Sequence, residues 1–204
     1  MNGAVIVETR KIKGLRKIVL NHLNHLDKDW GLTFFHGIDN EEYVRKELKG
    51  IETNFVLIPA FSIDFREYNK MLTEKEFWEQ ILYEKMLIFQ SDSGLLRKGI
   101  DEFMKYDYVG APWTFSVSGG NGGLSLRTKS VMLKIIENHV YTTDRNEDVY
   151  FCKYLNKYGK LAPRDICSKF SVEAVYALGS FGYHAPEKWL KPEQVKKILS
   201  QYAK

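Results

Sequence analysis

Short apolar runs that stop abruptly at polar residues recur along the chain, separated by stretches in which apolar residues return every three or four positions. Residues 4–7 (AVIV) are a β-branched run suited to a buried first strand, and they pass straight into Glu8-Thr9-Arg10. Leu15, Ile18, Val19, Leu23 and Leu26 follow at helical spacing, predicting an amphipathic helix over 13–26 with His22 and His25 on its solvated face. Residues 30–36 (WGLTFFH) and 54–58 predict the second and third strands, with Asn40 capping a helix over 41–48 between them. Segment 61–72 has no clear period. Thr73 and Glu76 then stand at capping-box spacing before a helix over 74–82.

Residues 86–89 (MLIF) are apolar without interruption, as a strand buried on both faces requires, and the run ends at Ser91-Asp92-Ser93. Ligands of open α/β sheets bind outside the carboxyl ends of the strands, so Asp92 is the first candidate for chemistry. Beyond it the pattern predicts a short helix over 95–104, a strand over 106–113, a short strand over 124–126, and helices over 130–138, from 146 onward, and over 192–202. Strands alternating with helices argue for an α/β fold with a largely parallel sheet.

Composition narrows the class. A chain of 204 residues, 44% hydrophobic and 27% charged, is long enough for a real core and is read as one domain, 1–204. The excess of 30 Lys and Arg over 26 Asp and Glu is scattered, which suits an anionic ligand and argues against nucleic acid. Cys152 and Cys167 lack metal spacing and read as reduced structural thiols. No apolar run reaches the ~18 residues of a membrane span, and the first ten residues lack a signal peptide's apolar middle. The expectation is a cytoplasmic protein, or one domain of a larger polypeptide.

Three further features invite function. The glycines at 119–123 form neither a P-loop nor a dinucleotide fingerprint, so they are either a plain turn or a place where backbone approaches a ligand. Glu147 and Asp148 open a helix, as partners of its dipole or as a general base facing a cleft. His184 lies on a turn between Gly182 and Pro186, where a histidine is either structural or presented to a ligand.

Taken in order, VETR, FWEQI, LIFQSDS, YDYVGAPW, GNGGLSLR, NEDVYF, FSVE and GYHAP resemble a family of glycosyltransferase-like domains of fungi, protists and large algal DNA viruses, over residues 5–190. The resemblance implies the GT-A fold, a Rossmann-like α/β domain whose central mixed, mostly parallel sheet is flanked by helices. It also implies a nucleotide-sugar-dependent hexosyltransferase, with a UDP-sugar as default donor and a glycan or glycoprotein hydroxyl as acceptor. In that fold an Asp-x-Asp signature holds a divalent metal, usually Mn²⁺, against the donor diphosphate; Ser91-Asp92-Ser93 supplies one carboxylate there. Asp92 and the late histidine His184 are thereby the implied ligands of Mn²⁺ or Mg²⁺. Thr9, Arg10, Ser91, Ser93, Gly122 and Gly123 are implied donor contacts, Arg10, Arg97 or Arg127 neutralise phosphate oxygens, and Trp113 stacks on acceptor or sugar. Asp148, with Glu147 behind it, is the implied base of inverting transfer, although a retaining enzyme would carry the same metal signature. Two other readings stand beside this one: a nucleotide-sugar-binding module without turnover, favoured by the missing second Asp, and another kind of Rossmann-like nucleotide enzyme, disfavoured by the absent glycine fingerprint.

Overall fold

In a computed structural model describing residues 2–200, each of the apolar runs becomes a strand and the elements follow in alternation. The first half is β1 (Asn2–Val7), α1 (Leu15–His25), β2 (Trp30–His36), α2 (Glu41–Glu47), β3 (Asn54–Leu57), α3 (Phe65–Leu72), α4 (Lys75–Glu79) and β4 (Lys85–Phe89). The second half is β5 (Ser93–Leu95), β6 (Tyr108–Pro112), β7 (Gly120–Thr128), α5 (Lys129–Asn138), α6 (Glu147–Tyr158), α7 (Arg164–Phe170), β8 (Ser171–Val172), β9 (Gly182–His184) and α8 (Pro192–Ser200).

Six strands form the main sheet in the order β3-β2-β1-β4-β7-β6. β3, β2, β1 and β4 run parallel, whereas β7 is antiparallel to both β4 and β6, so the sheet is mixed. Successive strand residues point to opposite faces. Accordingly Ala4, Ile6, Leu87 and Phe89 pack into one core, and Val5, Val7, Met86 and Ile88 into another on the reverse face. That double burial is why β1 and β4 read as unbroken apolar runs.

A small sheet, β5-β9-β8, lies beyond the end of β4. Ser93 pairs with His184 across β5 and β9, and the Ala185 N–H donates to the Asp92 carbonyl at 2.9 Å. A residue 92 positions later in the chain is thereby held beside Asp92.

Several expectations are corrected. The aperiodic segment contains α3, whose start is a complete capping box: Asp64 Oδ1 accepts from the N–H groups of Arg66 and Glu67 at 2.8 Å each, and Glu67 accepts from Asp64 N–H at 2.7 Å. Thr73 instead ends that helix, its hydroxyl donating to the carbonyls of Asn69 and Lys70, and α4 begins at Lys75, after Glu74, without a side-chain cap. Residues 95–104 are not a helix but the end of β5 followed by a 3-10 turn over Ile100–Phe103, because Leu95 and Ile100 are drawn into the first core. The strand expected at 124–126 is nine residues long, and α7 was not predicted. Asn40 precedes α2 without capping it; its amide donates to the carbonyls of Glu8 and Arg10 at 2.8 and 3.0 Å, fixing the exit of β1. His22 is buried against Phe89 rather than solvated, and burial lowers its pKa to about 4. Of the last predicted helix, residues 201 and 202 lie outside the described residues.

Among the described residues, no helix is long and apolar enough to cross a membrane. Both cysteines are free thiols.

Candidate active site

The carboxyl ends of β1 and β4 open into a cavity of about 320 Å³, walled by Glu8 to Arg10, Gln90 to Asp92, the start of α3, and Lys188. Its floor is organised by Glu8, a nearly buried carboxylate. Arg10 donates to both Glu8 oxygens at 2.8 Å, and the Ser91 hydroxyl donates to Oε2 at 3.0 Å. Thr9 is buried, its hydroxyl accepting from the Ile63 N–H at 3.2 Å, so it ties the β1 exit to the loop before α3. The Arg10 side chain stays 68% exposed despite its pairing, and its Nη1, which takes no part in that pairing, can reach an anion.

On the opposite wall Asp92 is one-third exposed and is gripped by two cations. His184 Nε2 lies 3.2 Å from Asp92 Oδ1, and Lys188 Nζ donates to Oδ2 at 2.8 Å. His184 donates through Nδ1 to Glu173 at 3.2 Å, while its Nε2 is also 3.0 Å from Gln90 Oε1. Burial opposes a charge on His184, but hydrogen bonds and attraction from Asp92 and Glu173 outweigh it and raise the imidazole pKa to about 9. Hydrogen bonding from His184, reinforced by Lys188, holds the Asp92 carboxyl well below the usual carboxylate range.

The adjacent glycines Gly122 and Gly123 of β7 divide this cluster from a second one. A side chain at Gly123 would meet the His184 ring, 2.2 Å from Nε2, and one at Gly122 would meet Glu147 Oε1 at 2.2 Å. The glycines are therefore required for close approach of protein side chains. Their N–H groups are occupied, Gly122 by Asp148 Oδ2 at 3.0 Å and Gly123 by Asn121 Oδ1 at 2.7 Å, leaving none for a donor sugar.

Behind Gly122, Arg127 is wholly buried, bidentate to Glu147 at 2.6 and 2.8 Å, with its guanidinium over the rings of Tyr108 and Phe151. Asp148 is nearly buried beside this pair, accepting from the N–H groups of Gly122 and Val149. Burial, with repulsion from Glu147, pushes its pKa up to about 7. Such a carboxyl is tuned to give and take a proton near neutrality. Asn69 of α3 caps the assembly, accepting the Glu147 N–H at 2.6 Å.

The residues expected in the site therefore separate. Thr9, Arg10, Ser91 and Asp92 meet at the cavity, with His184 against Asp92. Ser93 is buried below it, donating to the Gln90 carbonyl. Arg127 and Glu147 are locked together, so neither carries a free charge to a phosphate or a proton. Arg97 binds Glu102 and the Gly179 carbonyl away from the cavity wall. Trp113 is 9% exposed beneath Phe115, whose ring stacks on it and is itself 73% exposed. Glu8, Tyr68, Gln90, Glu173 and Lys188 are given no role by the sequence. Glu8 adjoins the first run and Lys188 follows His184 by four residues, but only the folded contacts give either a role.

The residues facing one another fit a divalent cation in part. Asp92 Oδ1 and His184 Nε2 have the spacing of neighbouring ligands each ~2.1 Å from one ion, and Glu173 orients the ring from behind. Among the described residues, no three His, Cys, Asp or Glu side chains converge as a ready-made ligand set. Remaining ligands would come from the diphosphate and water.

A family described as "Protein of unknown function (DUF5672)" matches residues 52–184. No curated protein matches the chain. Among solved structures, S. aureus TarS 1-349 in complex with UDP is 12% identical over 97% of this chain and 63% of that one, with a TM-score of 0.57. The same TarS fragment in complex with UDP-GlcNAc is 13% identical over 100% of this chain and 66% of that one, with a TM-score of 0.56. The apo-form glycosyltransferase GlyE of Streptococcus pneumoniae TIGR4 is 12% identical over 79% of this chain and 45% of that one, with a TM-score of 0.45. This chain thus spans slightly under two thirds of the TarS fragment, and the likeness is one of fold, GT-A.

Proposed function

The chain belongs to the DUF5672 family, and for it we propose a glycosyltransferase that moves a hexose from a nucleoside-diphosphate sugar, a UDP-sugar by default, to a hydroxyl of a glycan or glycoprotein. The observation that carries this reading is the cavity at the ends of β1 and β4, where Asp92 is held between His184 and Lys188 while Asp148 lies behind the adjoining glycines, accepting from the Gly122 N–H. The UDP and UDP-GlcNAc complexes of TarS, on the same fold, support the choice of donor.

Arg10 and Lys188 bind the diphosphate, with Ser91 and Glu8 fixing the edge of the pocket. Asp92 and His184 are the residues that would hold Mn²⁺ or Mg²⁺; bound there, the ion acts as a Lewis acid that neutralises the departing diphosphate. Asp148 accepts the proton of the acceptor hydroxyl as its oxygen bonds to the anomeric carbon, and the electron pair of the breaking C–O bond leaves with the nucleoside diphosphate. Direct displacement of this kind inverts the anomeric centre.

One observation favours a second reading, a module that binds nucleotide sugars without turnover: Asp148 is only 5% exposed and already accepts two backbone N–H groups. Incubation with a panel of UDP-sugars, Mn²⁺ and acceptors, following UDP release, separates the two. Turnover lost in Asp148→Asn supports the enzyme. UDP binding with no turnover on any pair supports the module, and absence of UDP binding removes both.

A further inference from the structure

Phe65 stands between two cavities. One is the donor cavity, and the other, of about 310 Å³, is walled by Arg66 and Asn69 of α3 and by Tyr141 and residues 143–146 on the approach to α6. The second cavity reaches Asn146, two residues before Asp148. Asn69 joins α3 to the first turn of α6 through the Glu147 N–H, and Asp148, whose carboxylate would take the acceptor's proton, is the next residue along.

The positive charge in this second cavity is only weakly paired. Arg66 uses its backbone N–H on Asp64, but its guanidinium has no hydrogen bond or ion pair among the described residues. Arg145 has a single ionic partner, Asp144, at 3.7 Å, with both side chains more than half exposed. Asp144 is the carboxylate that would oppose an anion here, and it is turned toward the Thr142 hydroxyl. The Tyr141 hydroxyl donates to the Arg145 carbonyl at 2.7 Å, which fixes the loop carrying that arginine. Two forked cations against one carboxylate, beside the exposed ring of Phe65, match an anionic sugar: guanidinium groups take phosphate or carboxylate oxygens in pairs, and an aromatic face takes apolar C–H edges.

We propose that the second cavity binds the acceptor, and that Arg66 and Arg145 select acceptors carrying an anionic group, a phosphate ester or a carboxylate. The inference rests on the glycosyltransferase reading above and names the substrate class at its acceptor side.

Binding of three probes to the full chain, by calorimetry with and without saturating UDP, tests it: methyl glucoside, glucose 6-phosphate and glucuronate. At least one charged probe binds ~10-fold tighter than the neutral one at low salt, the size expected of charge-assisted pairs at a partly exposed site, and the advantage shrinks at high salt. Preference for glucose 6-phosphate alone identifies the group as phosphate, and preference for glucuronate alone as carboxylate; either supports the proposal. Arg66→Gln with Arg145→Gln abolishes the preference while UDP affinity stays within ~2-fold, since neither residue lines the donor cavity. Equal binding of all three probes, or a preference that survives both substitutions, overturns the proposal. Should UDP fail to bind the unaltered chain, the donor reading falls, and the arms without UDP still decide the second cavity.

Discussion

On one side of Gly122 and Gly123, Arg127 and Glu147 are sealed from water and satisfied by each other. On the other side, Asp92, His184 and Lys188 satisfy one another at the edge of an open cavity. Both clusters contain a cation on a carboxylate at hydrogen-bond distance, yet the physics of exchange differs. A buried pair cannot trade its partner for a ligand, because the abandoned charge would be left in low dielectric. The partly solvated pair can, since water and a phosphate oxygen or a metal ion compensate as the old bond opens. Ion pairing by itself therefore says little about function; access decides it. Asp148 belongs to neither class, being shut in like Glu147 but held by backbone N–H groups rather than by a counter-ion.

That intermediate character gives the largest expected effect. Asp148→Asn lowers transfer ~10²–10⁴-fold, the usual worth of a general base, while UDP affinity remains within ~2-fold. In the unaltered chain the base must be ionised, so kcat rises with pH through about 7, the pKa to which burial pushes Asp148, and a rate that is flat from pH 5 to 8 removes its role.

Arg127→Met, which leaves Glu147 buried and unpaired, costs ~3–5 kcal/mol in urea unfolding. Replacing Glu147 by Leu as well recovers most of that loss, and if it does not, the sealed cluster is held by more than its mutual pairing. Lys188→Met shifts stability by only ~0–1 kcal/mol because the side chain is 58% exposed. It nevertheless weakens UDP binding ~10-fold by removing one charge-assisted phosphate contact, a difference calorimetry reads directly. The smallest effect belongs to Arg97→Ala. This arginine pairs with a half-exposed Glu102 outside the cavity, so both UDP affinity and turnover stay within ~2-fold, and a larger loss would extend the donor site across the β5 edge.

The legibility of these elements follows from the range of the forces behind them. β1, β2 and β4 are plain in the chain because burial on both faces fills them largely with apolar residues. The start of α6 was equally plain, with Asn146 before it and two carboxylates in its first turn. The start of α3 was written locally too, as the Asp64 and Glu67 capping box, but crowding by aromatic and charged residues hid its period. By contrast β5 is held by its partner β9, about ninety residues away, so no local periodicity could announce it, and its apolar residues mimicked a helix.

The sequence alone determined the strands buried on both faces, the polar residues that terminate them, and hence the edge of the sheet where a carboxylate such as Asp92 meets solvent. It also fixed which ionisable groups the chain possesses. Only tertiary structure decided which of those groups face a ligand. Arg127 and Arg10 are equivalent as letters, but one is enclosed between aromatic rings on Glu147 while the other reaches the cavity mouth. The physical reason is that a charge's role depends on its solvent and its counter-charge, and both are supplied here by residues distant in sequence: Glu147 for Arg127, His184 and Lys188 for Asp92.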